Sequence, residues 1–289
     1  MAIGAFSHGP SGTAVSTAEQ KKSRVAWFLL IPGIVYLLLF FLTPLFSLIL
    51  TSFKTAPPAA FIGEYVYAFR WENYVEVLGM YGEHSLRSFT YAAIATLIAL
   101  AIGYPLAYFI GVRLRPYPLL QSLALVLVIA PFFISFLLRT VAWKQLLADE
   151  GLIVGTMKTF ALLPPDAHIT GTSISVIFGL AYNFIPFMTL PLYTSIERLD
   201  LRLLEASNDL YANSFTTFRK VTVPLTLPGI VSGTLLTFIP AAGDYVNASA
   251  NFLVLQNYPH AASMSLVLMG AILILVSAYV FKSGTDDLL

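Results

Sequence analysis

The chain has 289 residues, of which 57% are hydrophobic and only 11% are charged. In soluble domains about a quarter of all residues are charged, so this composition excludes an ordinary soluble domain and favours a membrane protein. The net charge of +1 gives no support for nucleic-acid binding, and the lack of cysteine in the sequence excludes disulfides, thiolate metal sites and cysteine nucleophiles.

The N-terminal segment, residues 1–24, is rich in Gly, Ser, Thr and Ala and ends in a cluster of three cations. We interpret it as a disordered tail. The apolar run that follows is too long for the core of a signal peptide and has no small-x-small cleavage pattern nearby. We therefore expect an uncleaved membrane anchor at this end and a short tail, residues 283–289, at the other.

Long windows without a charged residue predict the membrane-crossing helices. Each window can supply the roughly 20 residues that a helix needs to cross a bilayer. The prediction is an all-α polytopic membrane protein whose membrane domain covers residues 25–282. Its six transmembrane helices are placed within residues 25–53, 88–112, 116–138, 167–196, 221–243 and 261–281. The aromatic-rich loop at 61–84 suits a short interfacial helix whose rings lie at the level of the lipid headgroups, and direct contact of these aromatic residues with the substrate is the alternative.

The orientation is predicted from Lys and Arg, because cytoplasmic loops carry an excess of both. With the N-terminus inside, ten of the 16 cations lie on the cytoplasmic side. We therefore expect both termini and the loop at 197–227 in the cytoplasm. The ten are Lys21, Lys22, Arg24, Arg113, Arg115, Arg198, Arg202, Arg219, Lys220 and Lys282.

A polar stretch at 205–229 interrupts the apolar windows of the C-terminal half, and we predict two short helices for it. The first begins at Asp200 as its N-cap. Glu205 and Asp209 share one face, where like charges four residues apart repel slightly, so this pair favours a partner that offers positive charge or hydrogen-bond donors. A helical period places four apolar side chains on another face: Leu199, Leu203, Ala206 and Leu210.

The second helix is predicted to begin at Ser214 as its N-cap and to point Phe215 and Phe218 in the same direction. We expect it to end at Val223, because the proline that follows disfavours the helical conformation of the residue before it.

This stretch resembles the EAA loop in the membrane subunits of bacterial ABC importers that depend on a binding protein. The family's pattern is Glu-Ala-Ala, three residues, Gly, nine residues and Ile-x-Leu-Pro. Here Glu205, Ala206 and Ser207 are followed by three residues, Tyr211, nine residues and Val-Thr-Val-Pro, which ends at Pro224. The spacing therefore holds from the first Glu to the last Pro. The alternative is a plain helical hairpin that has this spacing by chance.

Tyr211 stands where the family has Gly. The family's Gly ends the first helix in a left-handed conformation, in which a residue with a side chain costs roughly 1 kcal/mol. We therefore expect either a different turn here or a left-handed conformation at Asn213.

The resemblance implies a type I importer fold and a set of partners. These are a pair of ABC ATPase subunits, a second homologous permease, an extracytoplasmic substrate-binding protein and the lipid bilayer of a bacterial inner membrane. The chain itself has no G-x-x-x-x-G-K-[ST] phosphate loop. We therefore expect it to be no enzyme and to bind no cofactor, with ATP and Mg²⁺ held by the ATPase. The coupling residues implied are Glu205, Ala206, Ser207, Asp209, Leu210, Tyr211 and Pro224.

A second resemblance bears on the substrate. Residues 238–246 read Phe-Ile-Pro-Ala-Ala-Gly-Asp-Tyr-Val, which is similar to the Phe-x-Pro-x-x-Gly-Glu/Asp-Phe/Tyr-Val segment of spermidine/putrescine permeases. It implies a polyamine substrate. Importers of sugars, sulfate, iron or thiamine stay open as alternatives. So do an ion-coupled secondary transporter, which would want acids within its spans, and a membrane scaffold without a transport function.

Chemistry supports the polyamine interpretation independently. Asp244 is predicted at the outer end of the fifth helix, and a carboxylate at the membrane is a functional candidate by default. Beside Tyr245, it suits an alkyl-diammonium group through charge attraction and cation–π contact. The alternative is a structural ion pair, for instance with Arg139 or Lys144. Three residues within the fourth span are secondary candidates for the substrate path, with simple packing as their alternative: Tyr182, Asn183 and Phe184.

Overall fold

The computed structural model describes residues 24–57, 61, 63–243 and 257–283. Asp244, Tyr245 and most of both predicted tails therefore lie outside the described residues. The chain divides into two compact units, residues 1–48 and 49–289.

The described part of the first unit lies in a continuous, strongly apolar helical segment that ends at Ser52. Helix α1 spans Arg24–Leu37 and continues through a π-helical segment, Leu38–Leu42, into α2, Thr43–Ser52. Its large apolar side chains are exposed all round within the unit, for example Leu29 and Phe41. A helix that is apolar on every side is typical of a membrane span.

The second unit begins with a small antiparallel pair of strands, β1 (Lys54–Thr55) and β2 (Val66–Tyr67). Long and short helices follow. They are α3 (Glu72–Tyr108, extended by a π-helical segment Phe109–Arg113), α4 (Pro118–Ile129, extended by a 3₁₀ turn Ala130–Phe133), α5 (Phe136–Leu146), α6 (Leu152–Thr159), α7 (Ser173–Glu197), α8 (Arg202–Asp209), α9 (Ser214–Thr217, extended by a π-helical segment Phe218–Thr222), α10 (Val223–Leu225), α11 (Leu227–Gly243) and α12 (Tyr258–Ser283).

By length and composition, four of the described helical segments can cross a membrane: Phe28–Ser52, Glu72–Arg113, Ser173–Glu197 and Tyr258–Lys282. Two further segments are bent pairs, with a bend of 91° between α4 and α5 and of 70° at the entry to α11. Counting each bent pair as one span gives up to six, so the number of spans stays a prediction. The helix predicted within 61–84 is present from Glu72, but it is not short, because α3 runs on without a break into the second predicted span.

The core of the second unit lies where α3, α7 and α11 pack together. Helix α3 presents small buried residues to this contact at helical spacing: Ala92, Ala95, Ala99, Gly103 and Ala107. Small residues let helix backbones approach closely, which is how helices associate in lipid. Larger side chains, including Met188, Leu192 and Ile196 of α7, fill the space around them and are fully buried.

Helix α12 packs on the N-terminal half of α3. Met264 and Leu268 of α12 form a buried cluster with Val77 of α3. At the same end, His260 Nε2 lies 3.1 Å from Glu76 Oε2, and Arg70 Nη2 lies 2.5 Å from Glu76 Oε1. These polar contacts join the start of α12 to the first turns of α3 and to the loop that precedes it.

The connection from α5 to α7 is held together at Asp149. Its Oδ2 lies 2.6 Å from His168 Nδ1 and its Oδ1 lies 3.6 Å from Lys158 Nζ. The hydrogen bond from His168 and the nearby cations hold the pKa of Asp149 below its ordinary value of 3.8, against the smaller opposing effect of desolvation. The loop between the helices is therefore positioned by charged contacts at the surface.

The crossing of α7 and α11 yields a prediction about stability. A Cβ at Gly229 would lie 2.5 Å from Ser195 Cβ and 2.9 Å from the Pro191 carbonyl oxygen. Gly229→Ala must therefore push α11 away from α7, and overpacking of this kind costs about 1–3 kcal/mol. We expect a lower midpoint of thermal unfolding for the purified protein in detergent. Gly179→Ala, where nothing lies within 4 Å of the added carbon, is the matched control, and equal midpoints for both variants would contradict the close crossing.

Candidate functional site

The polar stretch between α7 and α11 forms a helical hairpin, as the sequence predicts, but the first helix starts later than expected. Helix α8 spans Arg202–Asp209, and its N-cap is Leu201 rather than Asp200. The Asp200 carboxylate accepts a hydrogen bond from the Arg202 backbone N–H at 3.0 Å. Asp200 therefore accepts a hydrogen bond from one of the free N–H groups at the helix start, although it lies one residue before the N-cap.

Tyr211 itself takes the left-handed conformation, with φ +57°. The backbone N–H of Tyr211 donates to Asn208 O at 2.9 Å, and that of Ala212 donates to Ser207 O at 3.1 Å. This pair of bonds is the Schellman motif that ends many helices. The turn therefore has the conformation that the family's Gly would adopt, and both expectations for this position, a different turn and a left-handed Asn213, are wrong.

Asn213 instead caps the second helix. Its Oδ1 accepts a hydrogen bond from the Thr216 backbone N–H at 2.8 Å, so the N-cap lies one residue before the predicted Ser214. The predicted end at Val223 is also wrong, because helical structure continues through Pro224 to Leu225. A π-helical segment precedes this short helix, and a proline is tolerated in the first turn of a helix, where its missing N–H leaves no bond unmade.

The hairpin is fastened to itself and to the bundle. Ser207 Oγ and Thr217 Oγ1, one from each helix, lie 2.8 Å apart. The ring of Phe218 packs edge-on against Tyr104 of α3 with centroids 5.3 Å apart, and Tyr104 Oη lies 2.7 Å from Thr226 Oγ1. Phe215 is 70% exposed and Phe218 is 39% exposed, so the prediction that the two rings point the same way stays a prediction.

One face of α8 is left uncovered by the chain's own bundle. We call this surface the coupling face; it joins two adjoining stripes, the apolar residues Leu203, Ala206 and Leu210 and the acids Glu205 and Asp209, all exposed. Leu210 is 81% exposed, whereas Leu199, predicted on the same stripe, is buried against the bundle. An apolar patch edged by acids is typical of a surface that binds a partner.

A cavity of about 530 Å³ lies between α5, α7 and α11. Two polar side chains line it, Arg139 and Asn183, and both are more than nine-tenths buried. Among the described residues, Nε and Nη1 of Arg139 and Oδ1 of Asn183 have no hydrogen-bond partner. The other lining residues are Phe132, Phe136, Phe184, Phe187, Pro240 and Gly243.

The structure brings two of the predicted substrate-path residues, Asn183 and Phe184, to this cavity. Tyr182 points elsewhere, with its ring edge-on to Trp143 at 5.0 Å. Asp244 and Tyr245 lie outside the described residues, although Gly243, the residue directly before them, lines the cavity. Arg139 is the residue that sequence reasoning missed as part of the lining. The available signal was a single cation directly after a long apolar window.

The fold has a counterpart among solved structures. A chain in the crystal structure of a bacterial ABC transporter involved in the import of the acidic polysaccharide alginate superposes with a TM-score of 0.66. The match covers 90% of this chain and 95% of that chain at 14% sequence identity. No protein-family model matches the sequence. The chain therefore has the fold of that transporter subunit, and its long apolar helices suit a multi-pass membrane protein.

Comparison with curated relatives identifies the family to which the chain belongs. The spermidine/putrescine transport system permease protein PotB of Haemophilus influenzae is 34% identical over 260 residues, which cover 84% of this chain and 89% of that protein. PotB of Escherichia coli K12 is 35% identical over 252 residues, covering 81% and 88%. The inner membrane ABC transporter permease protein YdcU of the same organism is 31% identical over 173 residues, covering 56% and 54%. The chain belongs to the PotB family of permeases, which confirms both resemblances seen in the sequence.

Proposed function

We propose that this permease subunit serves an ATP-driven importer of polyamines such as spermidine and putrescine. The observation that carries the proposal is the similarity to PotB proteins, whose names state that transport, over more than four-fifths of the chain. The aromatic lining of the cavity adds chemical support, because aromatic faces attract ammonium groups.

The proposed complex contains partners that supply what this chain lacks. A pair of ABC ATPases holds ATP and Mg²⁺, a second homologous permease completes the path, and an extracytoplasmic protein delivers the substrate. The chain itself binds no cofactor. It lies in a bacterial inner membrane with both termini and the hairpin on the cytoplasmic side, an orientation motivated by the bias of Lys and Arg.

The contacts of the hairpin suggest how ATP hydrolysis reaches the membrane helices. Closure of the ATPase pair moves α8 through the coupling face. The hydroxyl contact of Ser207 with Thr217 passes this movement to the second helix of the hairpin. The packing of Phe218 on Tyr104 then passes it to α3 in the core of the bundle. The helices rock between outward-open and inward-open states, and the cavity is exposed to each side in turn.

The test is uptake of labelled putrescine and spermidine in a bacterial strain that lacks its own polyamine importers. The chain is expressed together with its proposed ATPase, second permease and binding-protein partners. We expect uptake well above that of the empty strain, and competition by unlabelled polyamine but not by a neutral sugar. Uptake equal to background, with all four proteins present in the membrane fraction, would reject the polyamine substrate.

A further inference from the structure

The cavity between α5, α7 and α11 contains a buried positive charge for which the described residues, which stop at Gly243 on this side of the cavity, provide no counter-ion. The side chain of Arg139 is 8% exposed, and two of its three guanidinium nitrogens have no hydrogen-bond partner in the part of the chain that the structure describes. A guanidinium keeps its charge at any physiological pH. A buried charge is costly unless it is paired and hydrogen-bonded, so this group calls for an anion.

The surroundings of Arg139 strengthen the case for an anion. Arg139 lies in the first turns of α5, and Phe136, the first residue of that helix, lines the same cavity. The start of a helix carries a partial positive charge and unpaired N–H groups. Ser135, the N-cap of α5, provides no side-chain hydrogen bond to them.

Asn183 supplies a second polar group in the same cavity. Its side chain is 5% exposed and its Oδ1 is unpaired among the described residues. A carboxamide offers an oxygen acceptor at one end and two N–H donors at the other, so rotation of the amide presents a donor to an anion held by Arg139. The four phenylalanines of the lining keep the local dielectric constant low, which strengthens charge interactions.

We propose that the Arg139–Asn183 cavity is a binding site for a small monovalent anion, either a carboxylate or chloride. The guanidinium of Arg139 provides the charge and the amide of Asn183 fixes the anion beside it. The site does not depend on the identity of the transported solute. If the substrate is a polyamine, the bound anion has a further effect, because it removes the repulsion between Arg139 and an incoming ammonium group.

Thermal unfolding of the purified full-length protein tests the site directly. The midpoint is measured as acetate or chloride replaces methanesulfonate, a bulkier anion, at constant ionic strength. We expect a rise in the midpoint that saturates with concentration. Saturation with acetate alone assigns the site to carboxylates, and saturation with both anions assigns it to small monovalent anions in general. A midpoint that shows no saturable dependence on either anion in the wild-type protein would overturn the proposal.

Two variants locate the effect. Arg139→Gln is expected to lose the anion-dependent rise and to be no less stable than wild type in methanesulfonate, since the uncompensated charge is gone. Lys144→Gln removes an exposed cation from the same helix and is expected to keep the rise. An equal rise in Arg139→Gln and wild type would place the anion elsewhere. Because the wild-type titration stands alone, poor folding of a variant does not remove the test, and its outcome is independent of any uptake result.

Discussion

Leu210→Asp is expected to release the ATPase from the membrane and to reduce transport to background. Leu210 is 81% exposed at the end of α8, where it is the largest exposed part of the coupling face. In the assembled importer we expect it to fill an apolar pocket of the ATPase. A buried, unpaired carboxylate in such a contact is strongly unfavourable. A change at a central interface residue can cost about 2 kcal/mol or more of binding free energy, which is roughly a 30-fold loss of affinity.

Glu205→Ala tests the acidic part of the same face. Glu205 is exposed and lies in the first turn of α8, so its removal leaves the hairpin's internal bonds in place. We expect transport to fall while insertion into the membrane is unchanged. Sedimentation of the ATPase with membranes and substrate-stimulated ATP hydrolysis are the measurements. Leu162→Asp, which changes a leucine after α6 that is 70% exposed, is the control for Leu210→Asp. Full substrate-stimulated hydrolysis in a complex carrying both Leu210→Asp and Glu205→Ala would refute the coupling role.

The hairpin shows how far the sequence predicts this site. Its existence, its two helices and its acidic face followed from periodicity and from the spacing between Glu205 and Pro224. The caps were predicted one residue away from their observed positions, because Asp200, Asn213 and Ser214 are all good capping residues and only the backbone geometry selects among them. The left-handed conformation of Tyr211 was missed for a different reason. The sequence argument considered only the conformational cost of a left-handed residue with a side chain, and not the Schellman hydrogen bonds that offset this cost.

The cavity shows where such prediction stops. The apolar windows follow from the bilayer, which requires long runs without charge, and most of them fall on observed helices. The bend between α4 and α5 has no comparable signal, since Pro131 is one of several prolines within the windows and most of those do not break a helix. Arg139 becomes a cavity residue only when α5, α7 and α11 meet. Contacts of this kind join three segments that are far apart in the sequence, so a local sequence pattern does not predict them.

Asp244→Asn is expected to reduce polyamine uptake at least tenfold without reducing assembly of the complex. Asp244 follows Gly243, the last described residue of α11 and part of the cavity lining. A polyamine must exchange the water around its ammonium groups for protein contacts, and a carboxylate provides the charge for that exchange. Loss of one member of a partly buried charge pair typically costs about 3 kcal/mol or more, which exceeds the 1.4 kcal/mol of a tenfold change.

Two further variants show whether uptake depends on the charge of the carboxylate and on its position in the chain. Asp244→Glu keeps the charge and is expected to retain part of the uptake, whereas Asp166→Asn removes an exposed acid from the loop before α7 and is expected to behave as wild type. Uptake of labelled putrescine is compared at equal amounts of assembled complex. If Asp244→Asn transports as well as wild type, the polyamine substrate stands, but Asp244 is then not its ligand and a structural ion pair becomes the better explanation. If uptake is lost in Asp244→Asn and partly kept in Asp244→Glu, the carboxylate contacts the cation. Asn keeps the size of the Asp side chain without its charge, whereas Glu keeps the charge on a longer side chain.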